Sequence, residues 1–164
     1  MDRPTWDEYY SKLALMVAER STCAYRKVGA VIVDFDHRII STGYNGTPRG
    51  TLHCTEGGCP RRQAIVEGKE KHESGANLDS CTAIHSEINA IIQAAQLSNL
   101  PDNFKIYVTT YPCLQCLVAL LNAGCKEINY LESYDQKDLK ITIDRLLHET
   151  GCKANKMENN LKIL

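Results

Sequence analysis

From Phe104 onward the chain reads as strand, helix, strand, helix, strand, and this alternation restricts the fold more than any other feature. Residues 104–110 (FKIYVTT) are β-branched and aromatic. Residues 113–123 set Leu117, Leu120 and Leu121 at helical spacing and stop at Gly124, a residue suited to the left-handed position after a helix. Residues 126–132 read as a second strand, 136–149 as a helix carrying Leu139, Ile143, Leu146 and Leu147, and a weak last strand starts near Lys153. With links this short, consecutive strands lie parallel and are joined by right-handed crossovers.

The preceding part supplies the remaining layers. Residues 5–20 form an amphipathic helix opened by a Thr5–Glu8 capping box. Residues 28–34 and 38–44 are strand runs split by the hairpin signal Phe35-Asp36-His37. A helical pattern begins at Ala83 with Ile84, Ile88, Ile91, Ile92 and Ala95. Between these, residues 45–81 hold Gly, Pro, Thr and charge with little periodicity, and a loop that long is usually functional or tied down. The expectation is an α/β fold: one domain over residues 1–164 in three αβα layers. Its mixed five-stranded sheet has an N-terminal hairpin and parallel C-terminal strands, with a Cys-containing insertion at about 46–81.

A chain of 164 residues builds a core without needing disulfides or metal. Its apolar runs are too short to span a bilayer, and its acidic, polar opening (Met-Asp-Arg-Pro-Thr-Trp-Asp-Glu) does not read as a signal peptide. A cytoplasmic protein with no membrane partner is expected. The 19 Lys and Arg against 20 Asp and Glu argue against polymeric nucleic acid as a partner. They leave room for a small anionic substrate, which one or two local cations hold.

Eight cysteines (23, 54, 59, 81, 113, 116, 125 and 152) are many for a chain with no export signal, and in a reducing compartment they point to metal or catalysis. Cys125 and Cys152 each follow a glycine and lead into a strand-like run, so they read as small buried apolar residues.

Two segments carry the chemistry: His85-Ser86-Glu87 at the start of one helix, and Pro112-Cys113-Leu114-Gln115-Cys116 where a strand meets the next helix. On a helix, Cys113 and Cys116 share a face. Helix N-termini favour thiolates over thiols. One imidazole and two thiolates leave one tetrahedral position open, the catalytic rather than the structural style of zinc site. Two thiolates neutralise Zn²⁺ and weaken its acidifying effect on water, so a nearby base is needed, and Glu87 is placed to be one. A lone C-x-x-C here would equally suit a thioredoxin-type dithiol. Paired with H-x-E it is the signature of zinc nucleobase deaminases.

These residues resemble those of the deoxycytidylate (dCMP) deaminases, in the cytidine and deoxycytidylate deaminase superfamily, and look closest to the bacterial and phage forms. The resemblance covers roughly residues 5–135. It rests on Ser21-Thr22-Cys23, Val28 to Val33, Gly43-Tyr44-Asn45-Gly46-Thr47-Pro48, His53-Cys54, His85-Ser86-Glu87, Tyr107-Val108-Thr109 and Pro112 to Cys116. It implies a cytidine-deaminase-like fold that converts dCMP and water to dUMP and ammonia, supplying thymidylate synthesis. It further implies a homohexamer activated by dCTP, with Mg²⁺ accompanying that effector, and inhibited by dTTP.

Carried over by position, His85, Cys113 and Cys116 bind zinc. Glu87 moves a proton from water to N3 and then to the leaving amine, while hydroxide attacks C4. Asn45 hydrogen-bonds the sugar or base, although Asn-Gly is also a plain turn signal. For the phosphate, Arg26 near the first strand and Tyr134 after the second parallel strand are candidates; the alternatives are a solvated Arg and a packing Tyr. The Thr47-Pro48-Arg49-Gly50 turn is a candidate effector contact. Cys23, Cys54 and Cys59 resemble a second, structural zinc site, with Cys81 or His72 as fourth ligand; the alternative is ordinary buried thiols. One residue departs from the family, whose His-x-Glu motif usually holds Ala or Val where this chain has Ser86. Ser86 is expected to point away from the metal.

Two other readings remain. A tRNA adenosine deaminase or nucleoside deaminase would share the metal motif. A tRNA enzyme, however, needs basic surface, and such enzymes reach His-x-Glu soon after the Asn, whereas 39 residues separate Asn45 from His85 here. A non-catalytic zinc module or dithiol oxidoreductase has no use for Glu87.

Overall fold

The structure, a computed structural model, describes residues 3–71, 80–134 and 136–158. Thr5 closes the expected capping box with Glu8 and starts α1 (Trp6–Ala18). The strands β1 (Gly29–Val33) and β2 (Ile39–Tyr44) form the hairpin. After α2 (Pro60–Val66) and α3 (Ser86–Gln96) come β3 (Phe104–Thr110), α4 (Leu114–Asn122), β4 (Cys125–Glu132), α5 (Lys140–Thr150) and β5 (Lys153–Lys156). The sheet of these five strands runs β2-β1-β3-β4-β5. β1 is antiparallel to both β2 and β3, while β3, β4 and β5 are parallel, as their alternation with helices requires.

The alternation of side chains along the strands builds two apolar faces. Val31, Val33 and Tyr107 point one way and pack with Tyr10 and Ala14 of α1. Ala30, Ile32, Ile106, Val108 and Ile128 point the other way, against Ala90 of α3, Leu117 and Leu120 of α4, and Ile143 of α5. The expected αβα layering follows directly. Cys125 and Cys152 are buried in the second of these cores, as small apolar residues should be. Gly124 takes φ +100° at the end of α4, and a Cβ there would meet the Asp102 carbonyl at 2.1 Å, so glycine is required twice over.

Three boundaries differ from the sequence reading. Residues 45–81 are not wholly irregular: Cys54–Glu56 is a 3₁₀ turn and Pro60–Val66 is α2, with Pro60 in the first turn where its missing N–H does no harm. Helix α3 begins at Ser86, not Ala83, because Ile84 stays extended and pairs with Gly46: Ile84 N donates to Gly46 O at 2.8 Å and Gly46 N to Ile84 O at 3.1 Å. This bridge joins the two ends of the insertion. The last helix opens with a 3₁₀ turn (Lys137–Leu139) before α5. No described helix is long and apolar enough to cross a membrane.

Candidate metal centre and substrate cleft

His85 and Cys113 occupy the N-cap positions of α3 and α4, both extended at φ −71°, ψ 153° and φ −67°, ψ 164°. Cys116 follows within the first turn of α4 and is buried. The sequence reading set Cys113 inside the helix; as N-cap it still overhangs that first turn. The two helices pack against one sheet face, which brings their N-termini together. His85 Nδ1 lies 3.5 Å from Cys113 Sγ and 3.3 Å from Cys116 Sγ. An ion bound tetrahedrally, roughly 2.3 Å from sulfur and 2.0–2.1 Å from nitrogen, separates neighbouring S and N donors by about 3.5 Å. The donor set therefore fits zinc, and among the described residues no other three His, Cys, Asp or Glu side chains converge in this way.

The three groups bias one another's protonation. Hydrogen bonds from Cys116 and, after the opposing effect of burial, from His85 draw the Cys113 thiol down to about 4. The same Cys113 contact, with burial, pushes Cys116 up, and the Cys113 sulfur raises His85. Glu87 is 4% exposed, and burial above all pushes its carboxyl up from the usual range. A carboxyl raised by desolvation in a cleft is a candidate proton-transfer group.

Helix α3 is held firmly in place. Ser41 Oγ donates to Ala90 O at 2.8 Å, and Asn89 Nδ2 donates to Tyr44 O at 2.8 Å. A Cβ on Gly43 would stand 2.2 Å from Ser86 O and 2.4 Å from Ala90 N, so only glycine lets β2 approach the first turn of α3 this closely.

His85, Glu87 and Cys113 line a cleft of about 270 Å³ that also takes in Asn45, Arg26 and Tyr134, all three of the substrate-contact candidates. Asn45 is largely committed to the backbone. Its Oδ1 accepts from Val28 N at 2.8 Å and Ser21 Oγ at 2.6 Å, and its Nδ2 donates to Arg26 O at 2.8 Å. That pins the segment carrying Arg26 and leaves a single amide N–H. Tyr134 is raised chiefly by burial, so its phenol stays a hydrogen-bond donor. Arg61, on α2, reaches the same cleft and was not among the sequence candidates. Its signal in the sequence was Cys59-Pro60, a helix start beside a candidate ligand. Ser86 is among the residues around the cleft, and its hydroxyl donates to Glu87 Oε2 at 2.9 Å.

The second thiol group is looser. Cys59 Sγ and Cys81 Sγ are 3.8 Å apart, Cys54 shares a hydrogen bond with Cys59, and Cys23 lies near enough to both Cys54 and Cys81 to disfavour their ionisation. Burial pushes Cys54 and Cys81 up. Burial opposes ionisation of Cys59 too, but the N–H groups of Arg62 and Thr82 and the Cys81 thiol outweigh it and bring Cys59 down. His72 lies outside the described residues.

A mixed sheet of this order, with a His/Cys/Cys set and a buried glutamate at helix N-termini, is the arrangement of a zinc-dependent base deaminase. The family model for the cytidine and deoxycytidylate deaminase zinc-binding region matches residues 4–132, and the chain belongs to that family. It is 44% identical to the deoxycytidylate deaminase of Schizosaccharomyces pombe over 134 residues, 81% of this chain and 39% of that one. It is 39% identical to the deoxycytidylate deaminase of Mycobacterium phage D29 over 131 residues, 79% of this chain and 97% of that one. The chain thus spans about two fifths of the length of the fission-yeast relative. The crystal structure of dCMP deaminase from cyanophage S-TIM5, in complex with dCMP and dUMP, superposes with a TM-score of 0.70 at 27% identity, covering 96% of this chain and 100% of that one.

Proposed function

We propose that this chain deaminates dCMP hydrolytically, giving dUMP and ammonia. The observation that carries the reading is the buried Glu87 carboxylate beside the convergent His85, Cys113 and Cys116 donors, in a cleft walled by Arg26 and Arg61. The names of the relatives and the dCMP and dUMP bound by the cyanophage enzyme support the choice of base and sugar.

His85 Nδ1 and the two thiolates hold zinc, which when bound supplies a Lewis acid that acidifies water. Glu87 takes the proton of the water that adds to C4 and hands it to N3. It then assists protonation of the amine as the C4–N4 bond breaks, so that each proton passes through one carboxylate. The remaining N–H of Asn45 donates to the sugar or base. Arg26, Arg61 and the Tyr134 phenol bind the 5′-phosphate, and a charge-assisted contact of that kind is worth roughly 1.5–3 kcal/mol.

The same reading includes a structural zinc on Cys23, Cys54, Cys59 and Cys81, supported by the 3.8 Å Cys59–Cys81 separation, close to the spacing of two thiolates on one tetrahedral ion. It includes a cytoplasmic homohexamer, activated by dCTP with Mg²⁺ and inhibited by dTTP. A second cavity of about 840 Å³, which takes in Thr47, Pro48, Arg49 and Gly50, supports the effector contact. Loss of cytosine absorbance with zinc-loaded protein, offered dCMP and deoxycytidine with and without Mg-dCTP, tests the proposal. Turnover of dCMP alone is expected. Equal turnover of both would remove the phosphate contacts, and turnover of neither would overturn the reading.

A further inference from the structure

Ser86 stands directly before Glu87, at the start of α3. Its side chain is 0% exposed, and Glu87 beside it is 4% exposed. A buried hydroxyl needs a partner, and this one is given to Glu87 Oε2 at 2.9 Å. It is not spent on capping α3, whose N-cap is His85. The backbone beneath it is fixed, because α3 lies against Gly43 with the Ser86 carbonyl at the point of contact.

A carboxylate is easily misaimed. Its last torsion joins an sp³ to an sp² carbon and is broad, so an unanchored group samples a wide range of orientations. A charge-assisted hydrogen bond in a water-poor wall narrows that range.

We infer that Ser86 is a positioning residue for the reaction proposed above, its hydroxyl holding Oε2 of Glu87 so that Oε1 carries the shuttled proton. The inference rests on that functional reading. It concerns the aim of the carboxylate, not the affinity for substrate or metal. Ser86→Ala therefore slows the chemical step and leaves binding alone.

The test compares wild type with Ser86→Ala on dCMP, alongside zinc content and the isotope-edited infrared spectrum of the glutamate carboxylates. The Glu87 band is assigned by its loss in Glu87→Gln. A roughly tenfold lower kcat is expected, since small misplacements of a reacting group cost up to about 10²-fold. KM should stay within about twofold, zinc content should be unchanged, and the Glu87 band should shift. Four results would overturn the inference: an unmoved kcat, an unmoved Glu87 band, a KM that rises in step with the loss of kcat, or a lowered zinc content. A wild type that leaves dCMP untouched overturns the functional reading itself and the positioning role with it. A wild type that turns over dCMP while Ser86→Ala keeps its kcat overturns the positioning role alone.

Discussion

Cys113 and Cys116 hang from the first turn of a helix that follows a fully paired strand, and His85 faces them from the start of a second helix on the same sheet face. Cys23, Cys54, Cys59 and Cys81 sit instead on short turns and at the start of a seven-residue helix that buries none of its own side chains. In the first region the sheet fixes the donors, which converge because β3, α3 and α4 have nowhere else to pack. In the second region the thiols lie on turns and at a helix start, with Cys54 and Cys59 buried and Cys59 3.8 Å from Cys81. The comparison separates donors held at helix starts on the sheet from thiols carried on turns outside it. A preorganised set suits chemistry, where geometry must not move; a pinning set suits a wall that only has to stay in place.

The largest effect expected from breaking this contrast is at the preorganised site. Glu87→Ala should lose about 10²–10⁴-fold in kcat yet keep its zinc, because the His85, Cys113 and Cys116 scaffold is untouched; metal analysis beside the rate decides. Gly43→Ala comes next. Its Cβ would strike the first turn of α3, and overpacking of that kind costs about 2 kcal/mol. A melting temperature lower by roughly 4–8 °C and a lower kcat should appear together. Cys59→Ser acts on the other region. Amide exchange should quicken across residues 54–66, by about 1 kcal/mol of local stability or more, with β3 and β4 unchanged; faster exchange in those strands would erase the contrast.

The smallest effect belongs to the start of α1, which carries none of the cysteines. Thr5→Ala removes an N-cap worth about 1 kcal/mol. The Thr5 backbone N–H, and then its hydroxyl, hold the Glu8 carboxyl below its usual value. Because that value is lowered in the folded state, the contribution is present above the unfolded value and fades as the pH falls through the lowered one. The gap between Thr5→Ala and wild type should narrow over that acid range in thermal melts.

The two regions also differ in how readable they were. β3 was read to the residue and α4 to within one at either end, since their periodicity is enforced by burial and Gly124 marks the stop. The metal trio was legible because spacing along a chain becomes spacing in space once both motifs begin helices. Helix α2 escaped because it has no buried face and hence no periodic signal, and Arg61 escaped with it. The Ser86–Glu87 contact had no signal either, because a single helix gives no hint that β2 approaches at Gly43.

The Gly46–Ile84 bridge has a consequence for the history of such a chain. It clasps the insertion at its root, just beyond the end of β2 and before the start of α3. Lengthening a loop closed in that way raises its entropic cost only slowly, by roughly 0.6 kcal/mol for each doubling. Arg61 rides on this segment while His85, Cys113 and Cys116 do not. Part of the cleft wall, Arg61 and Cys81, thus hangs from a clasped segment that can change in length, while His85, Cys113 and Cys116 stay with the sheet.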